Sequence, residues 1–332
     1  MESYGYNIDQ KQVKTLSALA PWRPALAIAA DWAVIAATIW LSTTLSHPVA
    51  YIVALFVIGG RMHALGILIH DFAHYRFISN KKVSDLIGDL VLAWPLGTTV
   101  DGYRRNHLAH HRYTNTDQDP DWVVKFGTQE FTFPQRWQYA LANIAGYFIG
   151  TSSYRDIRLI TQRLKGGPAV PRAYKIKRLG FYVAVAAILT ATGTWLGFLL
   201  YWVVPYFTTL LLLLYLRSVA EHFGGMEYDH ELTSSRTVYP HFWERAFIAP
   251  HYVKYHLDHH LYPSVPYYNL PKLHALLLAD PEYRTTAHLT RGYSTGLVRE
   301  CMSGKRQPEA KPAPAPHGRA VSVSSQRPVL AD

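Results

Sequence analysis

The chain has 332 residues, about half of them hydrophobic, a formal net charge of +10 and a single cysteine, Cys301. One cysteine excludes an intrachain disulfide framework, a thiolate metal site and an iron–sulfur centre, while the length suffices for one or two domains with a sizeable core. A basic chain raises nucleic-acid binding as a function class, but here the charge is placed between apolar blocks, and topology with anionic lipid accounts for it.

In chain order, the polar stretch MESYGYNIDQKQVK precedes a first apolar block at about 25–45 and a second at about 49–69. A third block covers 179–200 and a fourth runs from 201 to about 219, with Pro205 near its start. Crossing a bilayer core takes about 20 apolar residues per helix. The expected fold is therefore all-α, a polytopic membrane protein with four transmembrane helices in two hairpins (25–45, 49–69, 179–200, 201–219) and a helical cap. Two buried hairpins of a soluble protein are the alternative. Arg61 stands in the middle of the second block. A charge there costs about 2.5–3.5 kcal/mol on insertion scales, so Arg61 should face a partner or polar cavity, unless the later half of this hairpin lies outside the hydrocarbon.

The first block is too long for the core of a cleavable signal peptide, and none is expected. Residues 1–24 read as a cytoplasmic N-terminal segment, 25–302 as an integral-membrane domain, and 303–332, rich in Pro, Ala and Ser, as a disordered tail. Sixteen Lys and Arg residues fall between the second and third blocks, against none in the turns near 47–48 and 201. The positive-inside rule then places both termini and this long loop on the cytoplasmic side, of the inner or plasma membrane in a bacterium.

Nine of the 17 histidines fall into four groups. His70 and His74 lie in HDFAH, His107, His110 and His111 in HLAHH, His222 at the end of RSVAEH, and His256, His259 and His260 in HLDHH. Every group follows an even-numbered span, so all nine share one side of the membrane. At 100° per residue, positions i, i+3 and i+4 share a helix face, so each HxxHH is expected to aim three imidazoles one way. Neutral imidazole is the commonest side-chain metal ligand, and nine exceed what one ion takes, which makes two ions the economical count.

No HExxH of the zinc hydrolases occurs, and the ExxH of soluble di-iron bundles appears once, in EYDH, without a mate. All-imidazole ligation on a membrane protein favours iron, with copper, zinc or manganese permitted by affinity. His63, His230, His241, His251 and His274 match no group and read as polar or core residues.

With their flanks, HDFAHYRFISNKKVSDLIGDLVLAWPLG, YRRNHLAHHRYTNTDQDPD and YPHFWERAFIAPHYVKYHLDHHLYPSVPYYNLPKLH, these boxes resemble those of the membrane fatty acid desaturases over roughly residues 25–280. The resemblance implies iron ligation by His70, His74, His107, His110, His111, His256, His259 and His260, with His222 as a ninth ligand and no catalytic residue beyond the metal centre. Ser218 stands where some relatives use asparagine to hold a metal-bound water, and Asp258 where many have glutamate. A ligating imidazole usually donates its other N–H to a carboxylate, which makes Asp71, Asp119, Asp121, Glu221 and Asp258 candidates.

An unactivated C–H bond offers no acidic proton, so a cofactor must carry the hard step. The resemblance supplies it: two iron ions, O2 as co-substrate, and electrons from a separate donor of ferredoxin, rubredoxin or cytochrome b5 type, since no His-Pro-Gly-Gly haem signature is present. Basic residues, with Arg104 and Arg105 as the chosen location, are expected to dock that donor. The expected reaction is desaturation of a fatty-acyl chain or acyl lipid. Hydroxylation, ketolation or oxidative decarboxylation on the same scaffold is the rival, and a non-enzymatic haem or metal membrane protein is a reading of another class. The aromatic-rich segments 126–148 and 206–216 are candidate walls of a substrate tunnel.

Overall fold

The computed structural model describes residues 8–164 and 170–304. Of the expected tail, Ser303 ends a helix, and residues 305–332 lie outside the described residues.

A short helix, α1 (Gln10–Leu16), leads to the long helices α2 (Trp22–Leu45) and α3 (Pro48–Ala73). Their turn is tight because Ser46 is left-handed, the His47 side chain accepts from the Val49 amide, and Pro48 starts α3 at a position where its missing N–H costs nothing. Helix α4 (Lys81–Gly88) passes through a π-helical turn, Asp89–Ala93, towards α5 (Val100–Tyr113). Two side chains cap α5: Thr99 accepts from the Gly102 amide at 3.0 Å and Asp89 from the Val100 amide at 2.9 Å. Helices α6 (Trp137–Ile149) and α7 (Thr151–Leu164) are divided by left-handed Gly150, and α8 (Arg172–Thr192) comes next.

The next helical run, Trp195–His222, contains α9 (Trp195–Phe198), two π-helical turns (Leu199–Val203 and Tyr206–Leu210) and α10 (Leu211–His222). The π turns flank Pro205, which has no N–H for the α-helical ladder, so the turns on either side widen. Beyond it come β1 (Thr237–Tyr239), α11 (Phe242–Phe247), α12 (His256–Leu261), α13 (Leu270–Leu277), α14 (Pro281–Thr286), β2 (Leu289–Arg291) and α15 (Val298–Ser303). The two strands pair in parallel, Thr237 opposite Leu289.

Among the described residues the chain is mostly helical, and three helices are long and apolar enough to cross a membrane: α2, α3 and the run Trp195–His222. The expected third and fourth spans need redrawing. The break falls at left-handed Gly193, not at 200/201, and α8 starts in the basic sequence at Arg172, so it is not among these three. Apolarity continues across the break, which hides it from composition. Arg61 does have its partner, since Nη1 lies 3.0 Å from Asp31 of α2, and Nη2 donates to the Ala246 carbonyl. A Cβ at Gly59 would lie 2.5 Å from Thr209 Cβ and 3.1 Å from the Leu210 nitrogen. Glycine therefore lets α3 meet the last π turn backbone to backbone, as membrane helices often do through small residues. Two apolar clusters form the core. One holds Leu68 and Phe72 of α3 with Leu257 of α12, and the other holds Leu212, Tyr215 and Val219 of α10 with Phe131, Tyr147 and Leu297.

Candidate metal centre

Four helices deliver the nine histidines. His70 occupies the last turn of α3 and His74 its C-cap, α5 carries His107, His110 and His111, α10 ends on His222, and α12 opens on His256. They sort into two groups, each with its ligand atoms within 4.8 Å of one another: His70, His74, His107, His111 and His259, and then His110, His222, His256 and His260. Each HxxHH is therefore divided, where three rings aimed one way were expected. In α5 the i,i+4 pair His107/His111 joins the five-histidine group and His110 the other, while in α12 the pair His256/His260 joins the four-histidine group and His259 the other. Adjacent residues point 100° apart on a helix, so neighbouring histidines cannot serve one ion but can serve two. The groups abut, with the half-buried rings of His111 and His260 stacked 4.3 Å apart.

The donor set fits metal ions. His110 Nδ1 lies 2.8 Å from the Asp119 carboxylate, His222 Nδ1 3.2 Å from the Ser234 carbonyl, and His256 Nδ1 3.3 Å from Glu221. The first two are hydrogen bonds to acceptors, so Nδ1 of His110 and of His222 carries the proton and donates it, and their Nε2 atoms present lone pairs, while His256 Nδ1 stands at ion-pair distance from Glu221. Yet His222 Nε2 is 3.1 Å from His110 Nε2 and 2.8 Å from His256 Nε2, which is itself 3.0 Å from His260 Nε2. Lone pairs cannot bond one another, whereas a cation accepts them all. An ion about 2.1 Å from two nitrogens at right angles holds them about 3.0 Å apart. In the five-histidine group, Nε2 of His70 and of His74 are buried without a hydrogen-bond partner. Burial, then the repulsion between neighbouring rings, holds His107, His111, His256, His259 and His260 well below the ordinary histidine range. These five imidazoles are thus neutral, as ligation requires.

Comparison with known proteins agrees with this geometry. Residues 46–291 match the fatty acid desaturase family. The chain belongs to the fatty acid desaturase family. Among curated relatives, the dihydrorhizobitoxine desaturase of Bradyrhizobium elkanii is 31% identical over 82% of this chain and 81% of its own length. A beta-carotene ketolase of Paracoccus sp. (strain N81106 / MBIC 01143) is 25% identical over 70% of this chain and 83% of its own. The sn-1 oleoyl-lipid 12-desaturase of Anabaena variabilis is 24% identical over 60% and 61%. This desaturase-family chain is accordingly an oxidoreductase and a membrane protein, with histidine clusters able to hold metal.

Around the clustered histidines of this desaturase-family protein, the candidate carboxylates separate. Asp119 and Glu221 meet His110 and His256 of the four-histidine group, and Glu221 is held by Arg217 at 2.7 Å. Asp121 instead accepts from Asn106, and its amide donates to Asp119. Asp71 is buried but accepts from the Tyr267 amide, 3.2 Å away. Asp258 is fully buried, with its carboxylate bonded to Thr237, His274 and Tyr283 and not to the clustered histidines. It fastens α12 to β1, α13 and α14. Ser218 lies half-buried one turn before His222.

Arg104, expected on a donor-docking face, is buried. Its Nε donates to the Ala73 carbonyl at 2.9 Å, its Nη2 to the Phe72 carbonyl at 3.0 Å, and both terminal nitrogens meet Asp85. It therefore caps α3 beside His74, where free carbonyls and the helix dipole favour a cation. Arg105 is exposed and paired with Asp101.

Two cavities accompany the site. A small one, about 20 Å³, has His70, His256 and His259 on its wall together with Asp71, His251 and Tyr267. No motif or spacing singles out His251. Its Nε2 is 2.7 Å from Asp31, the carboxylate that also pairs with Arg61, and both His251 and Tyr252 are left-handed. By contrast, His241 caps α11, His274 is buried against Asp258, and His63 is buried in α3. The larger cavity, about 230 Å³ and mainly apolar, is lined from both aromatic-rich segments, by Phe133 and Ile144 from one and Tyr215 and Leu216 from the other, and by Tyr293 and Met302.

Proposed function

We propose that the protein is an oxygen-dependent di-iron desaturase that introduces a double bond into a fatty-acyl chain or acyl lipid. The observation that carries this reading is the pair of abutting histidine groups, each with its ligand atoms within 4.8 Å of one another, and in the smaller group the Nδ1 protons of His110 and His222 are donated away so that their Nε2 lone pairs converge. Two iron ions bound there, reduced by two external electrons, supply the chemistry that uses one dioxygen and two protons to turn a CH2–CH2 unit into CH=CH with release of two waters. The nine imidazoles would hold the ions, with Asp119 and the Ser234 carbonyl fixing two tautomers and Glu221 standing beside His256 Nδ1.

Ile67, Val253 and Leu270 keep the small cavity beside the ligands apolar on one side, as a methylene group requires. The relatives' names span dihydrorhizobitoxine, beta-carotene and oleoyl-lipid, so the family does not fix the substrate. The apolar lining of the larger cavity is what favours an alkyl chain. On this reading Ile144→Trp, which fills that cavity from α6, shifts the products towards shorter chains at unchanged metal content. An unaltered chain-length profile would remove the cavity from the substrate path.

In the bilayer, α8 serves as the fourth span and pairs with the run Trp195–His222 as the second hairpin of a membrane domain covering about 25–302. The ligand side faces the cytoplasm with the basic loop, and a separate ferredoxin, rubredoxin or cytochrome b5 type protein supplies electrons. The ketolase relatives support a second reading, oxygen insertion on the same scaffold.

Lipid profiling of a host expressing the protein, by mass spectrometry, separates the two. A new alkene present with wild type and missing with His259→Ala is expected. An alcohol or ketone without an alkene would transfer the assignment to the second reading.

A further inference from the structure

We infer that Arg236 is the positioning residue of the four-histidine group, fixing α10 and α12 at the separation one ion requires. The inference rests on the metal-centre reading above. Arg236 is 1% exposed, and its guanidinium is turned onto the end of α10. Nη1 donates to the carbonyls of Val219 (3.3 Å), Ala220 (2.8 Å) and Phe223 (3.0 Å), and Nη2 donates to the Gly224 carbonyl and to Glu300 at 2.8 Å. The last carbonyls of a helix have no intrahelical donor, and here one side chain meets several of them around His222.

The backbone of the same residue joins the other helix. Its N–H donates to the Glu221 carbonyl at 3.1 Å, and its carbonyl accepts from the Leu257 amide at 3.3 Å. Arg236 is thus bonded to the chain beside His222 and beside His256, whose Nε2 atoms are 2.8 Å apart. Its neighbours act in the same direction. The Ser234 carbonyl accepts from His222 Nδ1 and, at 2.5 Å, from Asn115, while Thr237 Oγ1 donates to Asp258 in α12.

A buried guanidinium needs a counter-charge. Glu300 of α15 provides it and is itself held by Thr290 at 2.7 Å and His288 at 2.9 Å. Through this pair α15 is tied to the end of α10 that carries His222. None of the bonds made by Arg236 goes to a helix turn that carries a ligand of the five-histidine group alone. Lysine, a single ammonium on a flexible stem, cannot reproduce the fork.

The test is anaerobic titration of the purified full-length protein with ferrous ion, with iron per chain determined by elemental analysis, in wild type, Arg236→Lys and Glu300→Gln. Wild type is expected to take two ions. Arg236→Lys should keep one at wild-type affinity and bind the other about 10–100-fold more weakly, and Glu300→Gln should move the same ion in the same direction by less. Placed in a background that lacks three of the five-histidine group (His74→Ala, His107→Ala and His111→Ala), Arg236→Lys should weaken the ion that remains. Unchanged binding of both ions overturns the inference, and so does equal weakening of both with helical circular dichroism intact. Should lysine prevent folding, Glu300→Gln, which keeps the shape of the side chain, decides alone. A wild type that takes no ferrous ion would overturn the metal-centre reading itself, whereas two-ion binding unaffected by either variant removes only the role of Arg236.

Discussion

Replacement of His256 by alanine is expected to leave the protein with one bound metal ion instead of two and to slow turnover by about a thousandfold, some 4 kcal/mol of barrier. His256 belongs to the smaller group, with its Nε2 between those of His222 and His260 at 2.8 and 3.0 Å. Its removal leaves three imidazoles and strips Glu221 of the ring it faces. His74→Ala makes the instructive comparison, because the five-histidine group retains four donors without it. Its metal loss should be the milder of the two. Elemental analysis beside product formation measures both effects. Two ions retained by His256→Ala, with activity intact, would end the ligand assignment.

Asp119→Asn is expected to weaken metal at the four-histidine group by about 10–100-fold and to lower stability by about 2 kcal/mol. The buried Asp119 carboxylate accepts from His110 Nδ1 and from the amides of Asn115 and Asp121. An asparagine would set an NH2 against one of these donors, and the His110 tautomer would no longer be held. Asp258→Asn is the counterpart. Its partners are Thr237, His274 and Tyr283, so thermal stability should fall by about 3 kcal/mol with iron stoichiometry at saturation unchanged. Melting curves and ferrous titrations on both variants check the contrast. The reverse pattern, with metal affinity lost in Asp258→Asn and kept in Asp119→Asn, would show that the two carboxylates have been assigned the wrong way round.

The histidines were legible because their spacing is helical and their positions follow apolar blocks. Their division between two groups was legible in principle, since His110 and His111 must diverge by 100°, but the boxes read as units concealed it. Orienting groups were harder to see. Asp119 and Asp258 look alike in sequence, and only packing decides which one meets a ligand ring. The Ser234 contribution is a main-chain carbonyl and has no residue signature at all. Arg104 and Arg236 count in a sequence as two more positive charges, whereas the fold uses both as helix caps. The break between α8 and α9 escaped for a related reason. Hydropathy measures composition, while the chain turns at Gly193, a residue that accepts a left-handed backbone at little cost.

The division of each HxxHH also bears on how the molecule holds together. With one cysteine there can be no internal disulfide, so bound ions would be the strongest links between distant parts of the chain. Each ion would tie α5 to α12, and then one of them to α3 and the other to α10. Loops closed in this way restrict the unfolded chain much as covalent staples do. A chelator should therefore lower the melting temperature as well as stop turnover, and truncation before His259 would leave neither knot complete.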